Sequence, residues 1–209
     1  CVEGRYNNRS NQSSETSCKA CTHGRYLGDK GRDVQKHDAE EDCEECPEGT
    51  HSLSGAAFCD RCPAGKRTVL DTISGETDCV LCQKGRYQAQ AGQKQCNNCS
   101  SGEHQPENGT AFCLPCNAGL YQSEEGQPSC TECPKNNYTD QSKQTACKTC
   151  VGKEKTSDPG STFCFKCEAG QFMSTDKTCV FCALGKVSTY GQSSCFNCTA
   201  GYYLSLIHI

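Results

Sequence analysis

The chain has 209 residues, a formal net charge of -4 and a sequence pI near 5.8. Leu, Ile, Val and Phe together make up only about an eighth of it, too little for an ordinary apolar core, while the low net charge argues against simple disorder. The mildly acidic balance, with no basic stripe, speaks against nucleic acid as a partner, and no apolar run approaches the roughly 20 residues needed to cross a bilayer. Membrane attachment, if the protein has it, is expected outside this stretch. What remains to order the backbone is the cysteine content, 23 residues and above a tenth of the chain, a usage that signals cross-linking in an oxidising compartment.

The chain opens on Cys1-Val-Glu-Gly-Arg-Tyr6, the form that also follows the second Cys of later pairs, as in Cys21-Thr-His-Gly-Arg-Tyr26 and Cys82-Gln-Lys-Gly-Arg-Tyr87. Cys1 therefore reads as the second half of a broken C-x-x-C pair, and residues 1–18 as the end of a truncated upstream repeat. Eleven complete pairs follow, from 18/21 to 195/198, and between Cys79 and Cys167 they recur every 17 residues. The loop after Cys21 carries an insertion over 27–42 that ends in Asp38-Ala-Glu-Glu-Asp42 and runs on to Glu44 and Glu45. Its spacing fits no calcium loop, so a solvated charged segment is expected.

A slower period is superimposed on the pairs. Gly55-Ala-Ala-Phe-Cys59, Gly109-Thr-Ala-Phe-Cys113 and Gly160-Ser-Thr-Phe-Cys164 close every third loop. This predicts three-loop units over 21–79, 82–130 and 133–179, and a truncated one over 182–203. The last hexapeptide, Leu204-Ser-Leu-Ile-His-Ile209, is out of register with the polar filler and equals the translation of a transposase sequencing adapter, so biological sequence is expected to end near Tyr203. No segment has sustained helical apolar spacing; short strands such as Gly85–Gln88 and Phe172-Met173 predict two-stranded ribbons, turning at Gly92, Gly126 and Asn108-Gly109. Such ribbons are marginal in water without covalent help.

Three chemistries compete for C-x-x-C. A redox pair wants a low-pKa thiolate at a helix start, and eleven copies without helices do not fit it. An intracellular zinc-binding array is the serious rival, since the spacing is near that of a four-cysteine tetrahedral site, although pairs consumed two by two predict a slow period of two rather than three. Disulfides are favoured by a separate signal. Six of ten asparagines begin Asn-x-Ser/Thr, namely Asn8, Asn11, Asn98, Asn108, Asn137 and Asn197, against about two expected by chance, which points to a secretory route. Asn98 and Asn197 carry Cys at the middle position.

Spacing alone leaves the pairing open between interlocked bridges and a ladder closing each loop on itself. Cys1–Cys18, Cys62–Cys79, Cys116–Cys130 and Cys167–Cys179 are common to both. On Cys-x-x-Cys-x-x-Gly-x-Tyr/Phe and the Gly-x-x-Phe-Cys loop ends, the chain resembles the ephrin-receptor-like cysteine-rich repeat, a relative of the EGF-like module, with a looser likeness to tumour-necrosis-factor-receptor modules. The resemblance implies the EGF-like order. Added to the four shared bridges, it gives Cys21–Cys46, Cys43–Cys59, Cys82–Cys99, Cys96–Cys113, Cys133–Cys150, Cys147–Cys164 and Cys182–Cys198, with Cys195 orphaned.

The fold class expected is a small disulfide-rich, elongated tandem array of cysteine-rich loops with short β-ribbons and little helix. Tyr26, Tyr87, Tyr121, Phe172, Phe112 and Phe163 are expected to cover sulfurs between loops, and Gly85, Gly119, Gly170 and Gly201 to sit at positive φ or at close approaches. His23, His37, His51 and His104 lie scattered without a partnered nucleophile, so no catalytic residue, metal or cofactor is expected. The resemblance implies an extracellular spacer and interaction segment, secreted or part of an ectodomain, whose ligand is an unknown protein or glycan.

Overall fold

The computed structural model describes residues 1–7, 17–28, 37–70, 77–152, 154–155 and 158–198. Among them there is no α-helix; a 3-10 turn spans Glu40–Asp42, Ser17 is also in 3-10 conformation, and the remaining regular elements are short strands. The terminal hexapeptide and Gly201 lie outside the described residues. Clustering divides the chain into two units, Cys1–Cys99 with Gln105–Leu114 and Gly126–Pro128, and Ser100–His104 with Pro115–Glu125 and Ser129–Ile209.

In the first unit the strands form antiparallel two-stranded ribbons, each pairing the start of one cysteine loop with the C-x-x-C segment at its end. Arg5–Tyr6 pairs with Lys19–Ala20, Arg25–Tyr26 with Glu44–Glu45, Thr50–His51 with Asp60–Arg61, and Arg86–Tyr87 with Asn97–Asn98. The longest ribbon joins Lys66–Leu70 to Thr77–Leu81. The second unit repeats the device, with Leu120–Tyr121 on Thr131–Glu132, Asn137–Tyr138 on Lys148–Thr149 and Gln171–Met173 on Cys179–Phe181. Ribbons this short bury almost nothing by themselves, and the buried apolar set consists chiefly of cysteines: Cys21, Cys62, Cys82, Cys99, Cys116, Cys133, Cys150 and Cys167.

Eleven disulfides form a simple ladder, each closing one loop. Cys1–Cys18, Cys62–Cys79, Cys116–Cys130 and Cys167–Cys179 are joined. The remaining bridges differ from the EGF-like order. Cys21 pairs with Cys43 rather than Cys46, and Cys46 takes Cys59, so Cys43–Cys59 does not form. Cys82 pairs with Cys96 and Cys99 with Cys113, replacing Cys82–Cys99 and Cys96–Cys113. Cys133–Cys147 and Cys150–Cys164 replace Cys133–Cys150 and Cys147–Cys164. Cys182 pairs with Cys195, which leaves Cys198 unpaired in place of Cys195.

Strand geometry explains the outcome. The two residues between paired cysteines, such as Asn97–Asn98, are a strand, so Cys96 and Cys99 project to opposite faces of it. In the turn after Cys82, the Arg86 N–H donates to the Gln83 carbonyl (3.0 Å), folding Cys82 back onto the ribbon's start. Its sulfur thereby meets the face that carries Cys96, with the two Cα atoms 5.7 Å apart. Cys99 faces the other way and opens the next loop.

Backbone hydrogen bonds then tie loop to loop. In the first unit the Cys99 N–H donates to the Gly85 carbonyl (2.9 Å), the Gly85 N–H to the Gln105 carbonyl (2.8 Å), and the Gly126 N–H to the Cys99 carbonyl (2.8 Å). In the second unit the same three bonds run from Cys133 to Gly119, from Gly119 to Thr139 and from Gly160 to Cys133, each at 2.9 Å. Gly85 and Gly119 have φ of 77° and 87°, and a Cβ on either would overlap the carbonyl oxygen of Gly126 or Gly160, two loops further on. Positive φ and close approach therefore coincide at one residue, which only glycine satisfies. Gly170 also has positive φ, at 83°.

Candidate functional site

The loops bury polar groups that the apolar pattern does not signal. Gln88, Gln105 and Gln122, 17 residues apart and each directly after the aromatic position, are all buried, Gln105 to 2% exposure. Each side-chain amide donates from Nε2 to a carbonyl seven residues on, in Gln95, Phe112 and Ser129 respectively (2.6, 2.7 and 2.8 Å). Each Oε1 accepts the N–H two residues on, in Gln90, Glu107 and Glu124. Their own N–H groups reach the next loop, at the carbonyls of Thr110, Gln127 and Gln144. One residue thus closes its own loop and fastens it to a neighbour, engaging both the nitrogen and the oxygen of a buried amide.

Other loops solve the same position with a hydroxyl. Ser52 donates to the Arg25 carbonyl (2.8 Å) and Ser188 to that of Gln171 (2.6 Å). Thr139 is fully buried; its hydroxyl donates to the Leu120 carbonyl (3.2 Å) and accepts from the Gly119 N–H (2.7 Å). The sequence clue was available as Gln at 17-residue spacing, but nothing polar announces itself as core.

The aromatic positions divide. Tyr26, Tyr87, Tyr121 and Phe172 are half-buried, whereas the rings of Gly-x-x-Phe-Cys are not covers: Phe58, Phe112 and Phe163 are 66%, 61% and 63% exposed. All three lie in the bend directly before the closing cysteine, outside any ribbon, where their rings face water. The Phe163 ring lies beside that of Phe165, with ring centroids 6.1 Å apart.

Two loops carry histidine at the aromatic position, and neither imidazole is merely solvated. The nitrogen of His51 and the sulfurs of Cys62 and Cys79 lie within 4.8 Å of one another, as do those of His104, Cys116 and Cys130. His104 Nδ1 is 3.1 Å from Cys130 Sγ, and His51 Nδ1 is 3.2 Å from the Asp60 carbonyl. In both sets the sulfurs are bonded to each other, so neither offers thiolate ligands. His37 is buried, 2.7 Å from the Arg5 carbonyl, and His23 is half-buried.

The acidic insertion uses its carboxylates internally. Asp42 Oδ2 accepts from the N–H groups of Asp38 and Ala39 (3.1 and 3.0 Å), and Glu45 pairs with Arg25 (3.1 Å). Tyr26 donates to Glu44 Oε2 (2.7 Å), and that bond, followed by lost hydration and the carboxylate's charge, raises its phenol above the ordinary value. The Tyr6 phenol is raised first by burial and then by Glu40 and Glu41.

Of the sequon asparagines, Asn98, Asn108 and Asn197 are exposed. Asn108 Oδ1 accepts from the Lys84 N–H (2.9 Å). Asn137 is half-buried, donating from Nδ2 to the Lys135 carbonyl (3.2 Å) and accepting from Thr149 (2.8 Å). Asn8 and Asn11 lie outside the described residues. A recess of ≈ 450 Å³ opens beside Tyr87, with Gln90, Gln93, Gln95 and Asn97 among its lining residues.

A chain of cross-linked ribbons with disulfides for a core defines a cysteine-rich repeat protein. Residues 72–111 and 102–150 match the family model described as tyrosine-protein kinase ephrin type A/B receptor-like, a cysteine-rich repeat. No curated protein matches the chain at a significant level. The disulfides and the repeat type together suggest an extracellular setting, and no helix of the described residues is long and apolar enough to cross a membrane.

Proposed function

We propose that this chain is a stretch of the extracellular cysteine-rich region of a secreted or cell-surface protein, serving as a non-catalytic spacer and a surface for protein or glycan partners. The observation that carries the reading is the ladder itself: a scaffold whose buried groups are sulfur–sulfur bonds and amides needs an oxidising setting to stay folded. Loops hydrogen-bonded one to the next within each unit transmit no chemistry, but they repeat surface residues at regular intervals of sequence. Phe58, Phe112 and Phe163, exposed once every three loops, are the contact points such a scaffold presents. Asn98, Asn108 and Asn197 are its exposed glycan acceptors.

The experiment is expression through a secretory pathway, followed by thiol counting under denaturing, non-reducing conditions and by peptide N-glycosidase treatment. A disulfide scaffold gives about one titratable thiol per chain, as the single unpaired Cys198 implies, together with a glycosidase-sensitive mass shift. Many free thiols with stoichiometric zinc would instead establish the intracellular zinc array.

A further inference from the structure

We propose that the Cys116–Cys130 bridge, and by the same arrangement Cys62–Cys79, is a site of thiol–disulfide exchange with small thiols. His104 and His51 stand at a position, five residues after the opening cysteine, that six other loops fill with Tyr or Phe and three with Arg67, Lys155 and Val187, so only these two loops place an imidazole there. Each of these imidazoles lies against the disulfide of the following loop, and His104 is in hydrogen-bond contact with Cys130 Sγ at 3.1 Å. An imidazole beside a sulfur favours the thiolate, which speeds both attack on a disulfide and departure from it.

Access selects the reacting atom. Cys116 and Cys62 are fully buried, whereas Cys130 and Cys79 are partly exposed. An incoming thiolate therefore attacks Cys130 Sγ and forms a new sulfur–sulfur bond there. The Cys116–Cys130 bond breaks with both electrons going to Cys116 Sγ, where the new thiolate lies within 4.8 Å of the His104 ring nitrogen and takes up a proton through it or from water. With a monothiol the product is a mixed disulfide on Cys130. With a dithiol, the second thiolate displaces Cys130 as a thiolate, the reagent leaves as its cyclic disulfide, and both cysteines are reduced.

The comparison bridges are built into the molecule. Cys99–Cys113 and Cys133–Cys147 span the same 14 residues as Cys116–Cys130 and pair a buried sulfur with a partly exposed one. The preceding loops carry Tyr87 and Tyr121 where the His104 loop carries histidine. The test exposes the full chain to reduced glutathione, traps free thiols by alkylation and follows each bridge by peptide mass spectrometry. Cys116–Cys130 is expected to open about tenfold faster than either comparison bridge, with the adduct on Cys130. His104→Tyr, a residue that neighbouring loops accommodate, should remove that advantage and leave Cys62–Cys79 unchanged. Tyr121→His should transfer it to Cys133–Cys147. Equal opening of the three bridges, an undiminished rate in His104→Tyr, or no gain in Tyr121→His overturns the proposal.

Discussion

A Cβ on Gly85 would collide with the carbonyl oxygen of Gly126, 41 residues along the chain. This contact couples the glycine of Cys-x-x-Gly to the glycine that precedes a later loop's closing cysteine. Gly85→Ala is expected to destabilise the fold by roughly 2–4 kcal/mol, the sum of a strained positive φ and a backbone clash that must be relieved. Thermal and urea unfolding without reductant measure it.

Asn136 occupies the place of that glycine in its own loop, at φ 66°, and its Oδ1 is buried without a hydrogen-bond partner among the described residues. Both features are unfavourable. Asn136→Gly should therefore stabilise the protein by about 1 kcal/mol, seen as a raised Tm.

Gln105 joins the Phe112 carbonyl to the Glu107 N–H through one buried amide. Gln105→Ala leaves both without their partner, at an expected cost of about 2–3 kcal/mol. Gln105→Glu should be nearly as costly at neutral pH, because a carboxylate cannot donate to that carbonyl; part of the loss should be recovered in acid as the carboxyl regains a proton. The readout is the midpoint of urea unfolding for each variant at pH 7 and pH 4.

The ladder makes a direct chemical forecast. Cleavage after Lys148 separates Cys147 from Cys150, and cleavage after Glu44 or Glu45 separates Cys43 from Cys46. Non-reducing peptide maps should then yield Cys133–Cys147, Cys150–Cys164, Cys21–Cys43 and Cys46–Cys59 as separate linked fragments. Recovery of Cys133 linked to Cys150 would contradict the ladder. Cys99→Ser with Cys113→Ser, which opens one such loop, should cost about 3 kcal/mol.

Tyr26 holds Glu44 by a phenol hydrogen bond that raises its pKa. Folding therefore favours the protonated ring, so the contribution is fully present below the ordinary tyrosine value of 10.0 and is lost as pH rises through the folded value. In an ultraviolet titration Glu44→Gln should bring the Tyr26 transition back toward that ordinary value. A transition unmoved by the substitution would show that Glu44 does not hold the proton.

Local features were readable in the sequence because they depend on a handful of neighbouring residues. Gly85 three residues after Cys82 announces a positive-φ turn, Arg86–Tyr87 a short strand, and the shortage of Leu, Ile and Val a core made of cystine. Tertiary structure alone decided the sulfur partners, because Cys96 and Cys99 are almost equally distant from Cys82 along the chain and differ only in which side of a strand they face. It also decided that Gln105 is core while Phe112 is surface, reversing what their side chains suggest. Hydropathy weighs a residue in isolation, whereas burial here follows from which backbone groups need a donor or acceptor, and from a neighbour brought close by loops lying between them in the chain.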